Sequence, residues 1–552
     1  MYRLLLVAVI SLFLFACHHH SASNRNGGYG NAVFSPGIIE ADVSQHVRVL
    51  ASDAFEGRAP GSKGEQRTTE YLIQQFQRIG LQPGNHGSWL QAVPYVQATL
   101  QHADQSQLAI DGGKGKSVLS FGSDMVVGSP ADEPHVEIKD SPIVFVGYGV
   151  DAPEQQWNDY AGLDFKGKTV VILVNDPGWG SQDPMLFKGR ELTWYDHWTS
   201  KFEAAVRHGA AAAFIVHDTA AAGYPWNVVQ TGWSSPRFSL PASEDATPRL
   251  PIAGWLTTAA ARKLFYDAGA DFDALKKNAD VRGFKPVELD AKASIAIDST
   301  IVRGQSHNVI GELPGSLRPY EAIIYSAHWD HLGRDDKNIY HGAVDNASGV
   351  AGMLEIAEAF AHRRPKPQRT ILFMALTMEE SGLLGSHYYV NHPVVPLDLT
   401  LADLDMDALT VIGPSRDIAV IGYGQSQLDD YLAEGARKQR RIVAPDVVPK
   451  PGFFARSGQF NFAKAGVPVL YARSGFDLLD GGVTAGRKAY EDYITNRYHQ
   501  PADAFDPNWD LRGMVQDLRV LYMVGSKLAK GNAPFPQWKP GSDFRRPGAE
   551  AK

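Results

Sequence analysis

The stretch Ala322-Ile323-Ile324-Tyr325-Ser326-Ala327-His328-Trp329-Asp330-His331 decides the fold. Its first six residues carry no charge and are mostly aliphatic or aromatic, so residues 322–327 read as a buried strand. The run then stops on two imidazoles and a carboxylate. A strand without polar alternation belongs in a sheet covered on both faces. Outward from it the pattern repeats. A helix is predicted over 348–362, a strand over 370–375 and another over 399–404. Strands alternating with amphipathic helices predict a mainly parallel sheet in an α/β domain. Open sheets of this kind gather their functional groups beyond the carboxyl ends of the strands.

Five positions fall there. His328 can hold a metal through one ring nitrogen, and a carboxylate two residues on, Asp330, can take the other N–H and fix the tautomer. Asp345, in Gly342-Ala343-Val344-Asp345-Asn346-Ala347-Ser348-Gly349, precedes a helix, where a capping role is the ordinary reading. Strand 370–375 leads to Glu379-Glu380, adjacent acids that are costly to crowd unless a cation or solvent screens them. Strand 399–404 ends on Asp405, whose neighbours Asp403 and Asp407 read as solvated loop acids. Far downstream, Tyr498-His499-Gln500-Pro501 supplies a second histidine. Singly each is an ordinary surface or capping residue. Jointly, on successive strand ends, imidazole and carboxylate suit zinc without any thiolate.

The order His-x-Asp, Gly-Ala-x-Asp-Asn-Ala-Ser-Gly, Glu-Glu-Ser-Gly-Leu-Leu-Gly-Ser, Asp and Tyr-His-x-Pro-x-Asp resembles the M28 family of di-zinc peptidases. Residues 50–61, Leu-Ala-Ser-Asp-Ala-Phe-Glu-Gly-Arg-Ala-Pro-Gly, also resemble these enzymes. Two further stretches, Phe145-Val146-Gly147-Tyr148-Gly149 and residues 209–216, are similar to a protease-associated domain. The resemblance implies a three-layer α/β/α di-zinc exopeptidase domain, formed by 41–126 and 287–531, with a mixed, β-rich protease-associated domain inserted at 127–286.

The resemblance also implies roles. Asp345 would bridge two zinc ions; His328 and Asp405 would complete one site, Glu380 and His499 the other. Asp330 would orient His328, Glu379 would serve as general base, and the peptide after Asp345 would be cis. Peptides are the implied substrates, cleaved at their N-termini. The stretch around Arg456-Ser457-Gly458-Gln459 resembles one that usually reads Arg-Ser-Asp-His in the family, so Gly458 and Gln459 depart from it. Arg456 and Gln459 are candidate substrate-binding residues. Carboxypeptidase action and glutaminyl cyclisation are the alternative di-zinc reactions. A receptor-like relative without chemistry would be expected to lose ligands, and none is lost.

The remainder bounds the setting. The chain has 552 residues, enough for more than one domain. Its formal net charge of -8 offers no general attraction to nucleic acid, which sets that class aside. No Gly-x-Ser-x-Gly elbow of a serine hydrolase occurs. Residues 1–17 read as a secretory leader: Arg3, a short apolar run, then Cys17, the single cysteine, in a Leu-Phe-Ala-Cys context like that of bacterial lipoproteins. The expectation is a secreted or periplasmic protein, touching a membrane only through lipid on Cys17. Residues 18–40 read as a flexible linker and 532–552 as a disordered tail.

Overall fold

The computed structural model describes residues 34–183, 185–187, 189, 193–446, 453–542 and 544. The leader with Cys17 lies outside the described residues. From Ser35 on, the described residues form one compact unit, a mixed α/β fold. Among the described residues no helix is long and apolar enough to cross a membrane.

The strand expected over 322–327 is Arg318–His328, buried from Glu321 to its end. Arg369–Leu376 and Thr400–Asp405 lie parallel on its two sides. Val469–Ser474 continues the parallel order beyond Thr400–Asp405, and Asp417–Ile421 then runs antiparallel. Alternating side chains serve the two faces. On one face Tyr325 stacks on Phe373 and donates from its hydroxyl to the Leu521 carbonyl at 2.9 Å, under the helices Gly349–His362 and Arg512–Leu528. On the other, Ala322, Ile324, Leu372 and Met374 pack with Tyr389 and Phe462 from the helices Leu384–Asn391 and Gln459–Lys464. Each large apolar side chain so enclosed contributes about 1.5–3 kcal/mol, which makes this sheet a stiff base for the groups at its rim.

A second sheet sits beside it. Thr169–Leu173 lies parallel to Ala212–His217 and His135–Phe145, and Ala212–His217 to Ile252–Thr257. The expected boundaries at 127 and 286 are both corrected. Strands of this sheet begin at Gln107–Gly112, and it takes in the first half of Val287–Leu313. That 27-residue strand then continues into the first sheet, pairing with Leu90–Leu100 and Arg369–Leu376.

The helices Glu40–Leu50 and Lys63–Ile79 are separated by a turn where Glu56 and Gly57 take positive φ. One terminal expectation changes. The described part of the expected tail is packed: Trp538 is buried, donates to the Gly466 carbonyl at 3.1 Å and meets Phe544. Proline and charge signalled looseness there, but the two aromatic rings find an apolar seat.

Candidate metal centre

The rim of the first sheet gathers carboxylates around imidazoles. His328 ends its strand, and its Nδ1 lies 3.1 Å from the Asp330 carbonyl oxygen. A carbonyl only accepts, so Nδ1 carries a proton and Nε2 is the nitrogen turned to the cluster. Asp330 therefore does hold the ring, but through its backbone oxygen; its carboxylate stands 3.9 Å off. That carboxylate instead accepts from the backbone N–H groups of Glu379 and Glu380 at 3.1 and 3.4 Å. Burial pushes its pKa up to about 7.

His328 Nε2 lies 3.2 Å from Asp345 Oδ1 and 3.3 Å from Asp407 Oδ1. His499 Nε2 lies 3.1 Å from both Asp345 Oδ2 and Glu380 Oε2. Asp345 thus presents one oxygen to each imidazole. Nitrogen and oxygen ligands about 2.0–2.1 Å from a tetrahedral zinc stand roughly 3.3 Å apart, so these spacings fit the ion. His328, Asp345 and Asp407 form one group of possible ligands, and His331, Asp345 and Glu380 another. Asp345–Asn346 is a cis peptide. Gly349 must be glycine: a Cβ there would stand 2.1 Å from the Met406 carbonyl, which the helix start approaches.

The expectation for Asp405 is corrected by this geometry. Asp405 and Asp403 are alternate residues of Thr400–Asp405, both buried beneath the rim, and the Ser326 hydroxyl reaches both at 2.8 and 2.7 Å. Beyond the strand end, Asp407 comes up to His328. It is buried, not a solvated loop acid, and its Oδ2 accepts from Ser457 Oγ at 2.5 Å. The backbone that carries it is pinned by Ala408 N–H on Asn346 Oδ1 and by the Tyr471 hydroxyl on its own carbonyl.

Electrostatics shows what the cluster lacks. Burial would lower the pKa of His328, yet the carboxylates of Glu379, Asp345 and Asp407 raise it well above the usual histidine value. Burial likewise opposes, and Glu380 and Asp345 prevail, in lifting His499 to about 10. Burial would raise Asp345, but the two imidazoles hold it well below the usual range. Positive charge between these ligands would relieve the crowding of carboxylates, and a bound cation would supply it. Glu379 differs: burial first, then Asp407, Glu380 and Asp345, push it well above the ordinary carboxylate value, against His328. Its nearest imidazole nitrogen, His328 Nε2, is 3.9 Å away.

Several supporting residues had not been singled out. His331 Nδ1 donates to Glu380 Oε1 at 2.7 Å; its signal was the second histidine of His-Trp-Asp-His. Asp503 accepts from the N–H groups of Val344 and Asp345, and Arg58 donates to the carbonyls of Trp329, His341 and Gly342. Both stood in motifs already quoted, with no contact to suggest their task. Of the candidate substrate residues, Arg456 lines a cavity of about 110 Å³ together with Asp345, Glu379, Glu380 and Asp407. Gln459 does not. It is fully buried and donates to the Phe454 carbonyl at 2.9 Å, so its expected substrate role is corrected to a packing one.

Residues 308–523 match the model of Peptidase family M28. A "Probable zinc metalloprotease" of Pyrenophora teres f. teres is 43% identical over 81 residues, 14% of this chain and 17% of that protein. A "Vacuolar membrane protease" of Lodderomyces elongisporus is 27% identical over 137 residues, 24% of this chain and 14% of that protein. The chain thus spans less than a fifth of the length of these curated relatives. Among solved structures, an aminopeptidase from Aneurinibacillus sp. strain AM-1 has the same fold, with a TM-score of 0.52 and 18% identity over 91% of this chain and 95% of that one.

Proposed function

We propose that this chain, whose residues 308–523 match the model of peptidase family M28, is a zinc-dependent aminopeptidase that removes N-terminal residues from peptides. The observation that carries the reading is Asp345 offering one carboxylate oxygen to each of two imidazoles. His328, Asp345 and Asp407 would hold one zinc ion, and His499, Asp345 and Glu380 the second. Zinc bound there supplies Lewis acidity, polarising the scissile carbonyl and making water acidic enough to lose a proton near neutral pH.

The chain's own residues do the rest. Glu379, beside the ligand Glu380 but 3.9 Å from the nearest imidazole nitrogen, takes the proton of the attacking water as its carboxylate and delivers it to the leaving amine. Asp330 holds Glu379 and Glu380 by their backbone N–H groups, so base and ligand keep their spacing. His331 steadies Glu380 and Ser457 steadies Asp407. The acids around the cavity offer a free α-amine several partners, which favours chain ends over internal bonds. The second sheet is the protease-associated insertion of this reading. As a secretory leader, residues 1–17 would deliver the enzyme beyond the cytoplasm, with Cys17 the point of lipid attachment.

The test pairs metal analysis with assays on peptides bearing free and acetylated N-termini. We expect about two zinc ions per chain and hydrolysis confined to free N-termini. Equal cleavage of acetylated peptides would remove the aminopeptidase reading, and full activity without metal would remove the mechanism.

A further inference from the structure

A cation stands in the same cavity with no carboxylate partner among the described residues. Arg237 lines the cavity of about 110 Å³ that holds Glu379 and the ligand carboxylates. It also lines an adjoining groove of about 350 Å³, whose walls include Trp194, Trp198, Trp233 and Phe460. Its guanidinium lies 4.3 Å from the ring centre of Trp233 and 5.4 Å from that of Trp198. Its backbone belongs to Arg237–Ser239, paired antiparallel with Leu90–Leu100, so the position rests on a sheet.

Other arginines that pack into the fold are occupied. Arg58 spends its donors on backbone carbonyls. Arg369 pairs with Glu321, and Arg441 with Asp517. Arg456 donates to the Tyr498 hydroxyl at 3.1 Å. Among the described residues, no carboxylate or carbonyl accepts from the Arg237 guanidinium. Burial alone acts on it and lowers its pKa to about 10, with no acid near enough to restore it. Stacking on indole leaves the in-plane N–H fork of an arginine free for a planar anion. A carboxylate is the anion that every peptide carries at its far end, and the groove leads away from the catalytic acids past Arg237.

We propose that Arg237 receives a carboxylate of the peptide substrate, so that the enzyme prefers short peptides whose C-terminal carboxylate, or an acidic side chain near the cleaved bond, reaches it. The inference builds on the aminopeptidase reading for its chemistry. An unpaired cation costs desolvation that a charge-assisted fork repays only when the anion arrives. Binding energy from this remote contact then selects substrate length.

The test compares zinc-loaded wild type, Arg237→Gln and Arg237→Lys on di- and tripeptides with free or amidated C-termini, and on amidated peptides with glutamate after the first residue. Wild type should show kcat/KM about ten-fold or more higher on the free acid than on the amide. Arg237→Gln should lose that preference while staying within about two-fold on the amide, and Arg237→Lys should keep part of it. Recovery of the high rate by the glutamate-bearing amide assigns the carboxylate to a side chain; no recovery assigns it to the C-terminus. Equal rates on acid, amide and glutamate-bearing amide in wild type overturn the proposal, as does an equal loss on all three in Arg237→Gln. If no peptide is cleaved, the aminopeptidase reading has failed on its own. Calorimetry on the Glu379→Gln protein then decides for Arg237: about ten-fold tighter binding of the acid upholds it, and equal binding of acid and amide overturns it.

Discussion

The two walls of the cleft are made differently. On the first sheet's side three candidate ligands are each held by a second group: His328 by the Asp330 carbonyl, Glu380 by His331, Asp407 by Ser457. On the opposite side, Trp198, Trp233 and Arg237 are held by ring packing, with Phe202 edge-on to both indoles. Hydrogen-bonded polar groups in a buried site tolerate little displacement, because an unpaired partner pays its full desolvation cost. Packed rings can shift and still cover apolar surface. One wall is therefore built for chemistry and the other for adjustable contact, and substitutions should act on different kinetic quantities.

The largest effect should come from Glu379→Gln, which keeps the shape and removes the base. Turnover should fall about 10²–10⁴-fold with zinc content unchanged; retained turnover would shift the base role elsewhere. Next is a paired test of Asp407→Asn and Asp405→Asn. The first should weaken zinc binding by about 10–100-fold in a chelator titration and the second should leave it intact, so the reverse result would return the ligand role to Asp405. On the other wall, Trp198→Ala should raise KM about five-fold with kcat nearly unchanged, and a fall confined to kcat would place Trp198 among the chemical groups.

The smallest effect lies behind the chemical wall. Glu355, on the helix that starts beside Asp345, is fully buried and 3.4 Å from His46. Burial, with Asp42 and Glu358 adding to it, raises its pKa from 4.5 to about 8 despite Arg78. The folded state keeps a proton that the unfolded chain releases above 4.5, so stability falls as pH rises through this window. Glu355→Gln should therefore melt like wild type at low pH and about 2–4 °C higher above the folded-state pKa. A gain that does not grow with pH would separate it from this titration.

Much of this was legible in the chain because strand ends are where a sheet must stop being apolar. His328, Glu379, Glu380 and the parallel order of their strands follow from abrupt changes of character that hydrophobic periodicity records. Asp407 does not follow from it. Asp403, Asp405 and Asp407 recur at the strand period of two, and only the path of the backbone after Asp405 separates a buried pair from a ligand. The family departure at Gly458 becomes intelligible with that pair in view. A Cβ at 458 would stand 3.9 Å from Asp405 Oδ1, so an aspartate there would add a third carboxylate to a buried acidic pocket. Long-range supports such as Arg58 and Asp503 have no local signature. Their partners lie hundreds of residues away, and folding alone brings them together.

The strand Val287–Leu313 has a mechanical consequence. Its register against Leu90–Leu100 is unbroken from Ser299 opposite Leu100 to Val309 opposite Leu90. The same strand carries the second sheet on its first half and the sheet of the candidate metal centre on its last. Swinging one wall away from the other must therefore bend or unzip a continuous ladder. One continuous beam thus sets the backbone spacing of the two walls, while the rings that line the far wall remain free to adjust within it.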